Sequence, residues 1–223
     1  MGLLDDLKRQ AAAVQAHRNA QQRDFAECVL EVDSAMHHTF LYLNDVVKQL
    51  NVLTPPSPRT FDIEPGVRFE GMRLEEFFID FRKKMVQERE RYNFVNLTFQ
   101  QQSPQRIVVR KELPPNIARF EDSLRRAGAT FEVNEHRSAR QMVTHADFHI
   151  RCMLRSGIRV TAEHESGSVR FTIRNVERMG GFDLLFAAEE ITDPLLEDCV
   201  RYILGDTNQF RAIGRYVSLA PGA

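Results

Sequence analysis

Residues 142–174 read MVTHADFHIRCMLRSGIRVTAEHESGSVRFTIR, and apolar residues recur there at nearly every second position. Met142, Thr144, Ala146, Phe148, Ile150, Cys152 and Leu154 fall on one side, with His145, Asp147, His149, Arg151 and Arg155 on the other. A period of two marks half-buried β-strand, because successive side chains point to opposite faces of a sheet. Two turn signals interrupt the run. Arg155-Ser156-Gly157 fits a three-residue hairpin loop with Gly in the left-handed position. That register pairs Leu154 with Ile158, Cys152 with Val160, Ile150 with Ala162, and His149 with Glu163. Ser166-Gly167 fits a two-residue loop, which pairs Ala162 with Phe171, Val160 with Ile173, Glu163 with Arg170 and Thr161 with Thr172. Both registers keep apolar opposite apolar, and a slip of one residue would drive arginines into the core. The stretch therefore predicts a three-stranded antiparallel meander.

Outward from this meander the same period recurs. Phe77, Ile79 and Phe81 alternate with Glu76, Asp80 and Arg82, and Val95, Leu97 and Phe99 with Asn96, Thr98 and Gln100. Ile107 and Val109 alternate with Arg106 and Arg110, and Phe131 and Val133 with Thr130, Glu132 and Asn134. A last strand is expected near 182–188. Helical spacing appears in three places. Pro114-Pro115 opens a helix whose Ile117, Phe120, Leu124 and Ala127 share a face, with Gly128 as its stop. Asp193 as N-cap and Pro194 at the first helical position open another, which buries Leu195, Leu196, Cys199, Val200, Ile203 and Leu204 and ends at Gly205.

The third is the N-terminal segment, where residues 3–51 hold neither Pro nor Gly. Phe25, Cys28, Val29, Val32, Met36, Phe40, Leu43, Val47 and Leu50 form a broad apolar face. Upstream, Leu7, Ala11 and Val14 make only a thin stripe, and residues 17–24 are polar apart from Ala20. Residues 8–24 are thus expected to project or to pair with a second copy of the chain. Pro55, Pro56 and Pro58 end the helix and mark a hinge. The reading is an α+β chain with a long N-terminal helix over 1–53 and an antiparallel α+β domain over 54–223. Seven to nine strands would pack on helices 25–51, 115–127 and 194–204.

Composition narrows the functional classes. Apolar residues make 43% of the chain and charged residues 27%, and the formal charge is −1. General attraction to nucleic acid or membranes therefore has no support from net charge. Charge is uneven, however: residues 137–178 carry eight Arg and four acids, whereas 179–200 carry six acids and no Lys or Arg. Cys28, Cys152 and Cys199 are widely spaced and odd in number, which argues against a disulfide framework and favours a reducing, cytoplasmic setting. The opening lacks the apolar run of a secretory signal, and no uncharged apolar stretch approaches transmembrane length.

Two constellations on the meander carry candidate chemistry. His145, Asp147 and His149 stand in a row on one strand face, and the expected register brings Glu163 opposite His149. Two imidazoles with carboxylates form a ligand set for iron or zinc, which would make the protein a metal-dependent enzyme. Arg151, Arg159, Arg170 and Arg174 share the polar face and would hold an acidic partner or phosphates. Aromatics for base stacking are missing from that reading of the face, so nucleic acid is the weaker partner. Cys152 and Cys199 lie on apolar faces, and no nucleophile elbow, phosphate loop or dinucleotide motif occurs.

The opening DDLKRQAAAVQAHR and the helix-ending LNVLTPPSP resemble an uncharacterised family of proteobacterial cytoplasmic proteins. That resemblance implies no activity, substrate or site residue. The function expected from the sequence is a non-enzymatic binding or assembly protein. It would use its N-terminal helix to associate with itself and its Arg-lined face to hold an acidic protein.

Overall fold

The computed structural model describes the backbone of residues 3–64, 67–126 and 128–217, with side chains described from Asp24 onward. Helix α1 (Leu3–Leu53) is continuous over 51 residues, about 76 Å of helix. The expectation that 8–24 projects or pairs concerns side chains that, up to residue 23, lie outside the described set. From Val29 on, Val32, Met36, Leu43, Val47 and Leu50 are buried, which is the face set by helical spacing.

The strands follow: β1 (Phe61–Glu64), β2 (Val67–Phe69), β3 (Arg73–Val86), β4 (Arg89–Glu112), β5 (Thr130–Arg137), β6 (Val143–Glu163), β7 (Ser168–Arg174), β8 (Gly181–Ala187) and β9 (Arg215–Val217). Between them lie α2 (Pro114–Arg126), α3 (Asp193–Leu204) and the single turn α4 (Phe210–Ile213). The pairings are all antiparallel. β1 and β2 form a hairpin, and the other seven strands form one sheet in the order β3-β4-β6-β7-β8-β9, with β5 beside the first half of β6. The chain is thus an α+β protein with a mostly antiparallel sheet.

The central strands differ from the sequence reading. No turn forms at Arg155-Ser156-Gly157; β6 runs straight through it for 21 residues. Its buried positions are Ala146, Phe148, Ile150, Cys152, Leu154, Ser156, Ile158, Val160 and Ala162, an unbroken alternation. A three-residue loop and a straight strand both preserve the parity of the apolar positions, so the pattern alone admits either. The strand goes straight because its partner is equally long. β4 continues through Ser103-Pro104-Gln105, where a bulge between Gln102 and Arg106 absorbs two extra residues and leaves the faces unchanged. Gly157 serves the pairing rather than a turn: a Cβ there would lie 2.6 Å from the Leu97 carbonyl oxygen.

The second hairpin exists but is offset by two residues. Val160 pairs with Phe171, Thr161 with Arg170, Ala162 with Val169 and Glu163 with Ser168. The loop spans 164–167 because His164 turns inward, its Nε2 2.9 Å from the Tyr92 carbonyl oxygen. An even-numbered offset keeps every residue on its expected face.

Two cores share the sheet's inner face. In one, Val32, Met36 and Val47 of α1 meet Val95, Val160, Phe171 and Phe186 of the sheet and Leu196 and Ile203 of α3. In the other, β1, β2 and α2 pack Phe61, Phe69, Phe120 and Leu124 on Phe148 and Ile150. Buried Gln101 lies on the inner face of β4, just before the bulge. Its oxygen accepts from Ser57 Oγ at 2.7 Å, and its amide donates to Ser156 Oγ at 2.9 Å and to the Asn175 carbonyl at 2.8 Å. The expected hinge is therefore strapped down. Ser57 N donates to the Met72 carbonyl and Leu74 N to the Pro55 carbonyl, each at 2.8 Å.

Candidate functional site on the open face of the sheet

Both cores lie on the side of β6 that carries its even-numbered residues. Its odd-numbered residues, from His145 to Glu163, are half-buried or exposed, and they form the outer face with their partners on β4, β5 and β7. Residues directly opposite in an antiparallel pair share a face. Arg151 faces Arg106 and Thr130, Arg159 faces Asn96 and Thr172, Arg170 faces Thr161, and Arg174 faces Gly157. All four expected arginines thus lie on this face, and Arg106 and Arg110 of β4 extend the row.

Their surroundings differ. Arg170 is neutralised, with its guanidinium 2.5 Å from Glu163 and 3.5 Å from Asp183. Arg151 approaches Glu132 at 3.5 Å, an exposed pair. Arg159 lies over the Phe94 ring, 4.4 Å from its centroid. Among the described residues, Arg155, Arg159 and Arg174 make no ion pair. These three surround Gly157, two along the same strand and one directly across. Gly157 has no side chain, and Leu97 and Thr98 of β4 close against it: a Cβ there would lie 3.4 Å from Thr98 Cγ2. Arg155 is not in the expected binding set, since a hairpin loop at 155–157 would take it out of the strand. The sequence reading also missed Phe94 and Phe78 as outer-face aromatics; Phe78 is 60% exposed. Phe94 precedes the alternation that begins at Val95, and Phe78 falls between Phe77 and Ile79, on the opposite face, where it pairs with Thr98.

At the other end of β6 the imidazoles gather, in a different set from the one expected. His149 and Glu163 are not paired. They lie fourteen positions apart on one strand, roughly 46 Å of extended chain. Glu163 holds Arg170 instead, and His149 stands opposite Glu132 and Val108. His145 and Asp147 are joined by His136 of β5, which pairs directly with His145. The two imidazoles stack with centroids 4.3 Å apart and planes 8° from parallel. His136 Nε2 is 3.2 Å from Asp147 Oδ2. Arg110 clamps the same carboxylate, Nε donating to Oδ1 at 2.7 Å and Nη2 to Oδ2 at 3.0 Å. The Arg110 hydrogen bond is the main reason the Asp147 carboxyl is held down to about 2; partial desolvation opposes it, and the charges of Arg110, His136 and His145 assist. One ligand atom from each of His136, His145 and Asp147 lies within 4.8 Å of the others. The signal that could have found His136 was the strand period of 130–137, which puts Thr130, Glu132, Asn134 and His136 on one face.

Elsewhere the sequence reading of the thiols agrees with their surroundings. Cys152 and Cys199 are buried, and burial pushes both thiols up, away from the nucleophilic thiolate.

The fold and this face define a two-layer α+β protein with helices on one side of the sheet and an open, arginine-bearing face on the other. Compared with known proteins, the chain matches no family model, no curated protein and no solved structure. Among the described residues, no helix is long and apolar enough to cross a membrane.

Proposed function

We propose that the protein is a non-enzymatic binding protein of the bacterial cytoplasm that takes an acidic protein segment on the outer face of its sheet. The observation that carries the reading is the trio Arg155, Arg159 and Arg174 around Gly157, none of which makes an ion pair among the described residues. Thr98, Asn96, Gln100 and Thr172 border the trio and supply neutral hydrogen-bonding groups. Guanidinium groups favour this role because each offers a planar fork of donors that matches a carboxylate. Arg170 is a support rather than a contact, since Glu163 and Asp183 already hold it. The assembly part of the reading rests on the polar sequence of residues 8–24 within the continuous α1. It supposes that this segment pairs with a second copy.

The test is binding of a Glu/Asp-rich peptide and of a single-stranded oligonucleotide of equal charge, each across a salt series. The peptide is expected to bind, to weaken with salt, and to lose about tenfold or more in affinity in the Arg155→Ala/Arg159→Ala/Arg174→Ala variant. Stronger binding of the oligonucleotide, stacked on Phe78 and Phe94, would replace the acidic-protein reading. Light scattering tests the assembly part: a monomer whose behaviour survives deletion of residues 1–20 removes it.

A further inference from the structure

The geometry points to a divalent transition-metal site of the zinc class built from His136 Nε2, His145 Nε2 and Asp147 Oδ2. The three residues sit on two neighbouring strands, with the histidines directly cross-paired and the aspartate two positions along β6. Bonds of about 2.1 Å to a tetrahedral ion place ligand atoms about 3.4 Å apart. The 3.2 Å between His136 Nε2 and Asp147 Oδ2 is already close to that edge. The ion would sit between these two atoms, with His136 Nε2 giving its lone pair.

A second observation comes from His145. The Thr144 hydroxyl donates its proton to the His136 carbonyl at 2.9 Å, and the same oxygen lies 3.1 Å from His145 Nδ1. A hydroxyl has one proton to give, so toward His145 it accepts, and Nδ1 carries the hydrogen. The lone pair of His145 is therefore on Nε2. This is the arrangement in which an outer partner fixes the tautomer of a metal-ligating imidazole. Arg110 serves Asp147 similarly. It keeps the carboxylate ionised and oriented, and Oδ2 retains a lone pair on the side of His136.

Two stacked rings cannot both aim at one ion in their own planes. Binding requires His136 and His145 to splay, a turn about the broad terminal torsion of the side chain. His136 is exposed and free to make it, with a side-chain exposure of 49%. The fourth position opens to solvent, because the cluster lies on the uncovered face. An ion held here would staple β5 to β6. The site is independent of the acidic-partner reading, since Asp147 lies eight positions along β6 from Arg155, the nearest of the trio, roughly 26 Å of extended chain.

The experiment is calorimetric titration of zinc alone into the full-length, chelator-treated chain, with melting measured in parallel. One zinc per chain and a raised melting temperature are expected. Affinity should fall about a hundredfold in His136→Ala and in His145→Ala, and stay unchanged in His149→Ala. No saturable binding, or binding kept by the His136→Ala/His145→Ala double variant, overturns the site. Loss in His149→Ala equal to that in His136→Ala also overturns it. Should a variant fail to fold in metal-free buffer, cobalt(II) on the wild-type chain decides. The visible bands of a four-coordinate ion with nitrogen and oxygen donors support the site, and the pale spectrum of the hydrated ion overturns it.

Discussion

Single residues decide where this sheet goes. Gly157 is the clearest case, since in the sequence it reads as a turn residue, yet its backbone is that of a strand. What it supplies is the lack of a Cβ where β6 passes close to the backbone of β4 at Leu97 and Thr98. Gly157→Ala is expected to cost about 1–3 kcal/mol, as the strands must part to admit the methyl group. Chemical denaturation measures this, and an unchanged midpoint would remove the close approach as the reason for glycine. Asp147 shows the converse. Its face was legible from the period of two, but its partners Arg110 and His136 come from two other strands, β4 and β5. Nothing in the local sequence names them.

At the level of elements, the β3–β4 hairpin carries a visible conflict between sequence and geometry. Val86 pairs with Arg89, which leaves Gln87 and Glu88 as a two-residue loop. Both have positive φ, +48° and +59°. Such loops favour Asn-Gly, because side chains with a Cβ are strained in the left-handed region. The Gln87→Asn/Glu88→Gly change is expected to stabilise the chain by about 1 kcal/mol, read from the denaturation midpoint. This hairpin gives no turn signal, and its strand was not traced that far from the sequence. The helices were more legible. α2 and α3 begin and end within a residue or two of their Pro and Gly signals, and Gly128 and Gly205 both take positive φ at the C-terminal ends. For α3 the cap is Thr192 and Asp193 is already helical, so the helix starts one residue earlier than expected. Local chemistry sets helix ends, whereas strand ends depend on the partner strand.

In the whole molecule, β4 and β6 run through two cores of unequal size. The larger joins α1 and α3 to β3, β4 and β6–β8; the smaller holds β1, β2 and α2 against the first half of β6. Local opening follows the amount of apolar surface that holds a segment. Amide exchange is therefore expected to be faster in α2 and β5 than in β7, β8 and the second half of β6. Zinc, if held at His136, His145 and Asp147, should slow exchange in β5 specifically. Uniform exchange across both cores would show that the long strands weld them into one unit.

The sequence by itself determined the α+β class, the antiparallel sheet, the helix limits and the face on which each β6 residue lies. Those follow from periodicity and capping, which act over a few neighbouring residues. Only the tertiary structure decided that 142–163 is one strand, that the 163–168 loop holds four residues, and that His145 meets His136 rather than leaving Glu163 beside His149. Alternation is unchanged by any shift of two residues. The choice among even-numbered registers falls to distant groups: the length of β4, the inward turn of His164 and the Gln101 hydrogen bonds to Ser57 and Ser156.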